Sequence, residues 1–187
     1  MLELGMFVIL LVISIILLYV LFWQASLLLA VISGSPIVFA DKEAIRACFR
    51  LAGLQPGQTV IDLGCGDGRA LIIAAREFGA KGIGVDRSFY SFWRSRFNLW
   101  RSGQSAQVKI VRGDFKAAEK VLAQADVVYL YLLNETLAQI EPWLFKSIGH
   151  QTRVVSLAFS FPGHSPLAEI EARNLRKATR IRLFGRG

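Results

Sequence analysis

The chain has 187 residues, 53% of them hydrophobic, and its 22 Lys and Arg against 14 Asp and Glu give a formal charge of +8. Cys48 and Cys65 are too few and too isolated for a disulfide framework or a cysteine zinc cluster. The apolar content excludes a disordered chain, and the basic excess leaves open an anionic membrane surface, nucleic acid or a merely solvated face.

Between Glu3 and Asp41 there is no charged residue. Leu4 to Ile32 is nearly continuous Leu, Ile, Val and Phe, broken by Gly5, Ser14, Gln24, Ser26 and a few small or aromatic residues. Crossing a bilayer takes about 20 such residues, so one transmembrane helix is predicted, with Tyr19, Phe22 and Trp23 toward an interface. Residues 1–34 are read as an anchor and 35–187 as one domain. A cleaved signal peptide is the rival, with Val38-Phe39-Ala40 as its cleavage site. The run, however, exceeds an h-region of about 7 to 15 residues and lacks a basic n-region. Lys42, Arg46, Arg50, Arg69 and Arg76 follow the run and only Glu3 precedes it. The positive-inside rule therefore places the domain in the cytoplasm, the expectation being a single-pass protein of a bacterial inner membrane.

Next, Asp41 caps a helix through Ala52 that stops at Gly53, and Gln55-Pro56-Gly57-Gln58 turns the chain into a strand, Thr59 to Leu63. A helix Gly68 to Phe78, a strand Gly82 to Asp86, a helix Ser88 to Ser102 and a strand Val108 to Arg112 come after it. Then come a short helix Lys116 to Gln124, a strand Asp126 to Leu133, and a helix Glu135 to Ser147 interrupted by Pro142. A strand Arg153 to Phe159 precedes a Pro/Gly loop and two weaker strands, Leu167 to Glu171 and Ala178 to Phe184. This alternation is that of βαβ units. The fold expected is α/β and Rossmann-like: a mainly parallel seven-stranded sheet with helices on both faces.

The turn after the first strand, Asp62-Leu63-Gly64-Cys65-Gly66-Asp67-Gly68, has glycine at every second position, which lets the backbone approach a ligand where a Cβ would clash. It is not a dinucleotide fingerprint, because Arg69 stands at the third glycine position, where close helix–strand packing accepts no arginine. Asp62 and Asp67 would repel a pyrophosphate and suit a cation such as an amino group. The turn resembles motif I of the class I S-adenosylmethionine (SAM) methyltransferases, which implies SAM on Asp62, Gly64, Cys65, Gly66, Asp67 and Gly68. Asp86, 22 positions past Gly64 and followed by Arg87, is placed to accept from two ribose hydroxyls, and also to cap the next helix. Asp114 would accept from an adenine amino group while Phe115 covers the ring; a capped turn is the alternative.

Tyr129-Leu130-Tyr131-Leu132-Leu133-Asn134-Glu135 ends the fourth strand, where such an enzyme faces its methyl acceptor. In-line transfer needs a neutral nucleophile about 3 Å from the methyl carbon. A lysine, with a reference pKa of about 10.4, must first lose a proton to a dry pocket or a carboxylate. Asn134 and Glu135 are the candidates, with Tyr131 as a wall; Glu135 also suits a helix first turn.

From about Ser35 to Pro166 the chain resembles the small membrane-anchored class I protein-lysine methyltransferases. These include the mitochondrial enzymes acting on the ATP synthase c subunit and the adenine nucleotide translocase, and their prokaryotic relatives. The resemblance rests on Pro36-Ile37-Val38, the glycine turn, the aromatic helix Phe89 to Trp100, the run Tyr129 to Glu135, Arg153-Val154-Val155-Ser156, and Phe159-Ser160-Phe161-Pro162-Gly163-His164-Ser165-Pro166. Phe39 and Asn134 stand where that family usually has proline. The resemblance implies a membrane-protein substrate, brought to the enzyme by the bilayer. Competing readings are a membrane-embedded quinone or lipid acceptor, a non-catalytic SAM-binding scaffold, and a nucleic-acid module with a basic face of Arg173, Arg176, Lys177, Arg180 and Arg182. Nucleic acid ranks below the membrane protein, and no metal is expected, His164 having no matched ligand. Phe89, Trp93, Phe97 and Trp100, at helical spacing, are expected to pack into the core.

Overall fold

The computed structural model describes residues 2–32, 40–173 and 178–186. It divides into two units, Met1–Ile37 and Val38–Gly187. The first contains helix α1, Leu2–Ile32. Its segment Leu4–Ala25, 22 residues, is long and apolar enough to cross a membrane, a test that a signal sequence also meets. At 1.5 Å per residue such a segment measures about 33 Å, close to a hydrocarbon core of about 30 Å. The Ser14 hydroxyl donates to the Leu10 carbonyl at 2.8 Å, which satisfies it within the apolar run. Pro36-Ile37-Val38 and Phe39 lie outside the described residues.

The second unit opens with α2, Lys42–Leu51, capped by Asp41, whose carboxylate accepts from Glu43 N at 2.9 Å and Ala44 N at 3.2 Å. Then follow β1 Thr59–Leu63, α3 Arg69–Phe78, β2 Lys81–Asp86, α4 Phe89–Ser102 and β3 Val108–Arg112. After these come α5 Glu119–Leu122, β4 Val127–Leu130, α6 Asn134–Ser147, β5 Arg153–Leu157, β6 Ala168–Arg173 and β7 Ala178–Gly185. The seven strands lie in the order β3-β2-β1-β4-β5-β7-β6, with β7 antiparallel to both of its neighbours. The chain runs outward from β1 through β2 to β3 and then crosses back to β4 on the other side of β1. That reversal opens a crevice at the carboxyl ends of β1 and β4, the usual ligand position in such sheets.

Two apolar layers sandwich the sheet. One holds Ile45, Cys48, Phe49 and Leu71 from α2 and α3; the other holds Leu122, Leu137, Leu144 and Phe184. Each fully buried side chain of this size contributes roughly 2 kcal/mol.

The structure revises several expectations. β4 ends at Leu130 and β5 at Leu157, where Ala158 takes a positive φ of 70° and turns the chain away from the sheet. The short helix is split into a 3-10 turn, Phe115–Ala118, and α5. Pro142 does not interrupt α6; Pro142 and Ala138, whose carbonyl it deprives of a donor, both face solvent, where the lost bond costs least.

The largest revision concerns α4. Phe89, Trp93, Phe97 and Trp100 are 52, 54, 56 and 71% exposed, whereas Ser91, Ser95 and Leu99 are 2, 0 and 3% exposed. The two stripes share one periodicity on opposite sides of the helix, so spacing cannot tell them apart. Contact with the glycine turn decides: a Cβ on Gly68 would lie 3.1 Å from Ser95 Cβ, and only a small-residue stripe fits that approach.

Candidate active site

The glycine turn leaves β1 pinned to β2, since Gly64 N and Cys65 N both donate to the Val85 carbonyl, at 2.8 and 3.2 Å. Gly66, at φ 54°, has open space where a Cβ would stand. A Cβ on Gly64 would meet Leu132 Cδ2 at 3.0 Å and Phe115 Cε1 at 4.0 Å, so the segments after β3 and β4 both close on this turn. The Asp86 carboxylate accepts from Gly66 N and Ser88 N, each at 2.9 Å, holding the turn and the entry to α4 together. Two such bonds leave lone pairs for further donors.

Asp62 and Tyr129 are register partners on β1 and β4. Asp62 is buried, and no donor lies within hydrogen-bond distance of its carboxylate among the described residues. Burial pushes its pKa well up, and the charges of Asp86 and Asp67 push it further. Burial also raises Asp86, against the bonds from Ser88 and Gly66. Among the described residues the buried Tyr129 hydroxyl has no hydrogen-bond partner. Such groups are rare in folded proteins; Trp143 Nε1 is a second one among the described residues.

Asp67 is differently placed. The Arg69 guanidinium donates to it from Nε at 3.0 and 3.1 Å and from Nη2 at 2.8 Å, while Nη1 reaches the Ala40 carbonyl at 3.0 Å. The arginine that spoils the dinucleotide pattern thus ties the turn to the start of the domain. The Cys65 side chain faces the core against Gly84, whose Cβ would come within 2.8 Å of its Sγ, so only its backbone borders the crevice. Arg87 is exposed beside Asp86. Asp114 caps the 3-10 turn by accepting from Phe115 N at 2.6 Å, and half-buried Phe115 reaches Gly64.

On the far side of the crevice, Tyr131 and Phe159 stack with centroids 6.1 Å apart and planes at 30°. Asn134 and Glu135 are exposed at the first turn of α6. The loop after Phe159 is anchored by buried Glu141, which accepts from Gly163 N at 2.9 and 3.2 Å and meets His164 Nδ1 at 2.6 Å. His164 also stacks on Phe145 at 3.6 Å. Sequence reasoning passed over Arg69 as a brace, the Tyr129 hydroxyl and Glu141. A carboxylate at 141 inside an apolar helix was the available signal for the last. Among the described residues no cluster of His, Cys, Asp and Glu is arranged to hold a metal ion. Of the basic face on the last two strands, Arg182 and Arg180 pair with Glu169 at 2.6 and 3.7 Å; Arg176 and Lys177 lie outside the described residues.

The ANTKMT methyltransferase domain matches residues 62–168, more than half of the chain and all of this crevice. The chain belongs to that family. It is a SAM-dependent methyltransferase with a Rossmann-like fold. A protein-lysine N-methyltransferase of Saccharolobus islandicus is 29% identical over 153 residues, 80% of this chain and 94% of that protein. The mouse lysine N-methyltransferase of the ATP synthase c subunit is 28% identical over 70% of this chain, which spans about half (51%) of the mouse protein. An RNA methyltransferase from Salinibacter ruber, solved in complex with S-adenosyl-L-homocysteine, is 30% identical with a TM-score of 0.72, over 79% of this chain and 93% of that one.

The crevice of the methyltransferase fits this cofactor on three observations. Gly66 leaves room for a ligand against the backbone, Asp62 offers an uncompensated carboxylate to a cation, and Tyr129 presents an unused hydroxyl.

Proposed function

We propose that this methyltransferase modifies a lysine side chain of a membrane protein, working in the cytoplasm from a membrane held by α1. The observation that carries the reading is the stacked pair Tyr131 and Phe159 just past β4 and β5, with Glu135 exposed in the first turn of α6, the helix that follows Tyr131. Aromatic walls suit the apolar stem of a lysine, and a cation over their faces is favoured. Coverage of nearly the whole Saccharolobus islandicus protein-lysine N-methyltransferase, and the acceptor for which the mouse relative is named, support the same class.

In this reading Asp62, with the backbone of Gly64, Cys65, Gly66 and Gly68, holds the amino-acid end of SAM, and Asp67 shapes the turn. Asp86, with Arg87 beside it, takes the ribose, and Asp114 and Phe115 take the adenine. The bound cofactor supplies an electrophilic methyl group on a sulfonium. Tyr131 excludes water from the acceptor, Asn134 orients the amine, and Glu135 takes its proton, leaving the neutral nucleophile that transfer needs. The positive-inside asymmetry supports the cytoplasmic side.

RNA is the second reading, favoured by the acceptor named for the Salinibacter ruber structure and by the basic charge. Labelled methyl transfer from SAM by the reconstituted protein into membranes from its own source, with RNA supplied in parallel, separates the two. Base-stable label in a protein band, lost in Asp86→Ala and Gly66→Arg, is the expected result. Label in RNA moves the acceptor to nucleic acid, and label extracted into organic solvent moves it to a quinone or lipid.

A further inference from the structure

Among the described residues of the second unit, the aromatic stripe of α4 holds most of the exposed large hydrophobic side chains. Phe89, Trp93, Phe97 and Trp100 are each more than half exposed. The rings contact one another in two pairs, Phe89 with Trp93 at 6.2 Å and Phe97 with Trp100 at 5.8 Å, along one side of the helix. Soluble proteins seldom show such a surface without a use for it.

The charge beside the stripe is of one sign. Between Asp86 and Asp114 the chain carries Arg87, Arg94, Arg96, Arg101, Lys109 and Arg112 and no acidic residue. The Arg96 guanidinium lies 5.5 Å from the Phe92 ring and 5.9 Å from the Trp93 ring, and that of Arg112 lies 5.8 Å from Phe89. At 100° per residue, Arg96 flanks one side of the stripe and Arg94 and Arg101 the other. Tryptophan and phenylalanine rimmed by arginine are what the headgroup layer of an anionic bilayer accepts: rings at the acyl boundary, guanidinium groups on phosphates.

We propose that this face of α4 docks on the anionic surface of a lipid bilayer, bringing the adjoining crevice to a substrate at the membrane. Charge complementarity favours lipid over a second, equally basic copy of the chain. Single-stranded nucleic acid prefers separate rings on which successive bases stack, whereas here the rings engage each other in tilted and edge contacts. The chain also carries a helix long and apolar enough to tether it to a bilayer. Docking holds whichever acceptor is methylated, so the acceptor assay and the test below fail independently.

The test uses the full chain with Trp23→Phe and Trp143→Phe, which leaves Trp93 and Trp100 as the only tryptophans. It is reconstituted into phosphatidylcholine vesicles with or without phosphatidylglycerol, some of the acyl chains brominated. The expected result is a blue-shifted emission quenched by brominated lipid when phosphatidylglycerol is present, relieved by salt. Each of Arg96→Gln and Arg101→Gln lowers the docked-to-undocked ratio about fivefold, with SAM affinity unchanged as the check on folding. Vesicle-bound protein whose tryptophans stay unquenched, or quenching indifferent to phosphatidylglycerol and salt, overturns the proposal. So does a shift produced in detergent by RNA alone, or one that grows with protein concentration without lipid.

Discussion

Ser95 of α4 packs against Gly68 so closely that a Cβ on the glycine would lie 3.1 Å from Ser95 Cβ. Asn98, one turn on, donates to the Asp67 carbonyl at 2.9 Å. The helix that follows β2 is therefore locked to the glycine turn by its small polar face, and its aromatic face is left outside.

Gly68→Ala tests that lock. The φ of 78° costs an L residue about 1 kcal/mol and the crowding at Ser95 about as much again. We expect a loss of about 2 kcal/mol in denaturant unfolding, with a weaker SAM affinity by calorimetry. Unchanged values for both would show that α4 and the turn are not coupled.

Asp62→Asn is expected to stabilise the empty enzyme while weakening SAM binding at least tenfold. The folded-state pKa of Asp62 is raised above its unfolded value by burial and by Asp86 and Asp67. Folding therefore takes up a proton between about pH 4 and the raised value, and wild-type stability declines as pH rises through that window. The asparagine variant should show less of this decline, so its advantage is greatest above the raised pKa. SAM affinity of the wild type should fall as pH falls, because a cationic ligand needs the carboxylate ionised. Thermal melts and titration calorimetry across pH give both slopes, and an affinity independent of pH would remove Asp62 from the cation site.

Arg69→Met removes the partner of Asp67, whose charge bears on the buried Asp62. The pair is largely buried on the Asp67 side, with side-chain exposures of 29 and 10% for Arg69 and Asp67. Breaking such a pair costs about 3 kcal/mol. Denaturant unfolding at neutral pH measures it, and a loss under about 1 kcal/mol would show the pair to be no stronger than an exposed one.

Glu141→Ala should separate the acceptor side from the cofactor side. Removing a buried carboxylate that holds Gly163 N and His164 costs about 2 kcal/mol. Methyl transfer should fall through kcat while SAM affinity stays within about twofold, as calorimetry and single-turnover assays will show. An equal loss of SAM affinity would mean that the loop after Phe159 supports the cofactor crevice as well.

Much of this was legible in the chain. Strand, glycine turn and helix at 59–78, the spacing from Gly64 to Asp86 and the seven strand segments follow from local rules, because turn residues and caps act over a few positions. The alternating elements dictated a mainly parallel sheet and hence a crevice at the carboxyl ends of its strands. The apolar run before Asp41 likewise declared a helix able to cross a membrane. Register and packing are not local, and they decided the rest. Asp62 meets Tyr129 only because β4 returns beside β1; Glu141 meets His164 across 23 residues; and Cys65 turns inward because Gly84 leaves it space. Most of all, α4 carries two stripes of the same period, one aromatic and one small. Hydrophobicity favoured burying the first, and the tight approach to Gly68 admitted only the second.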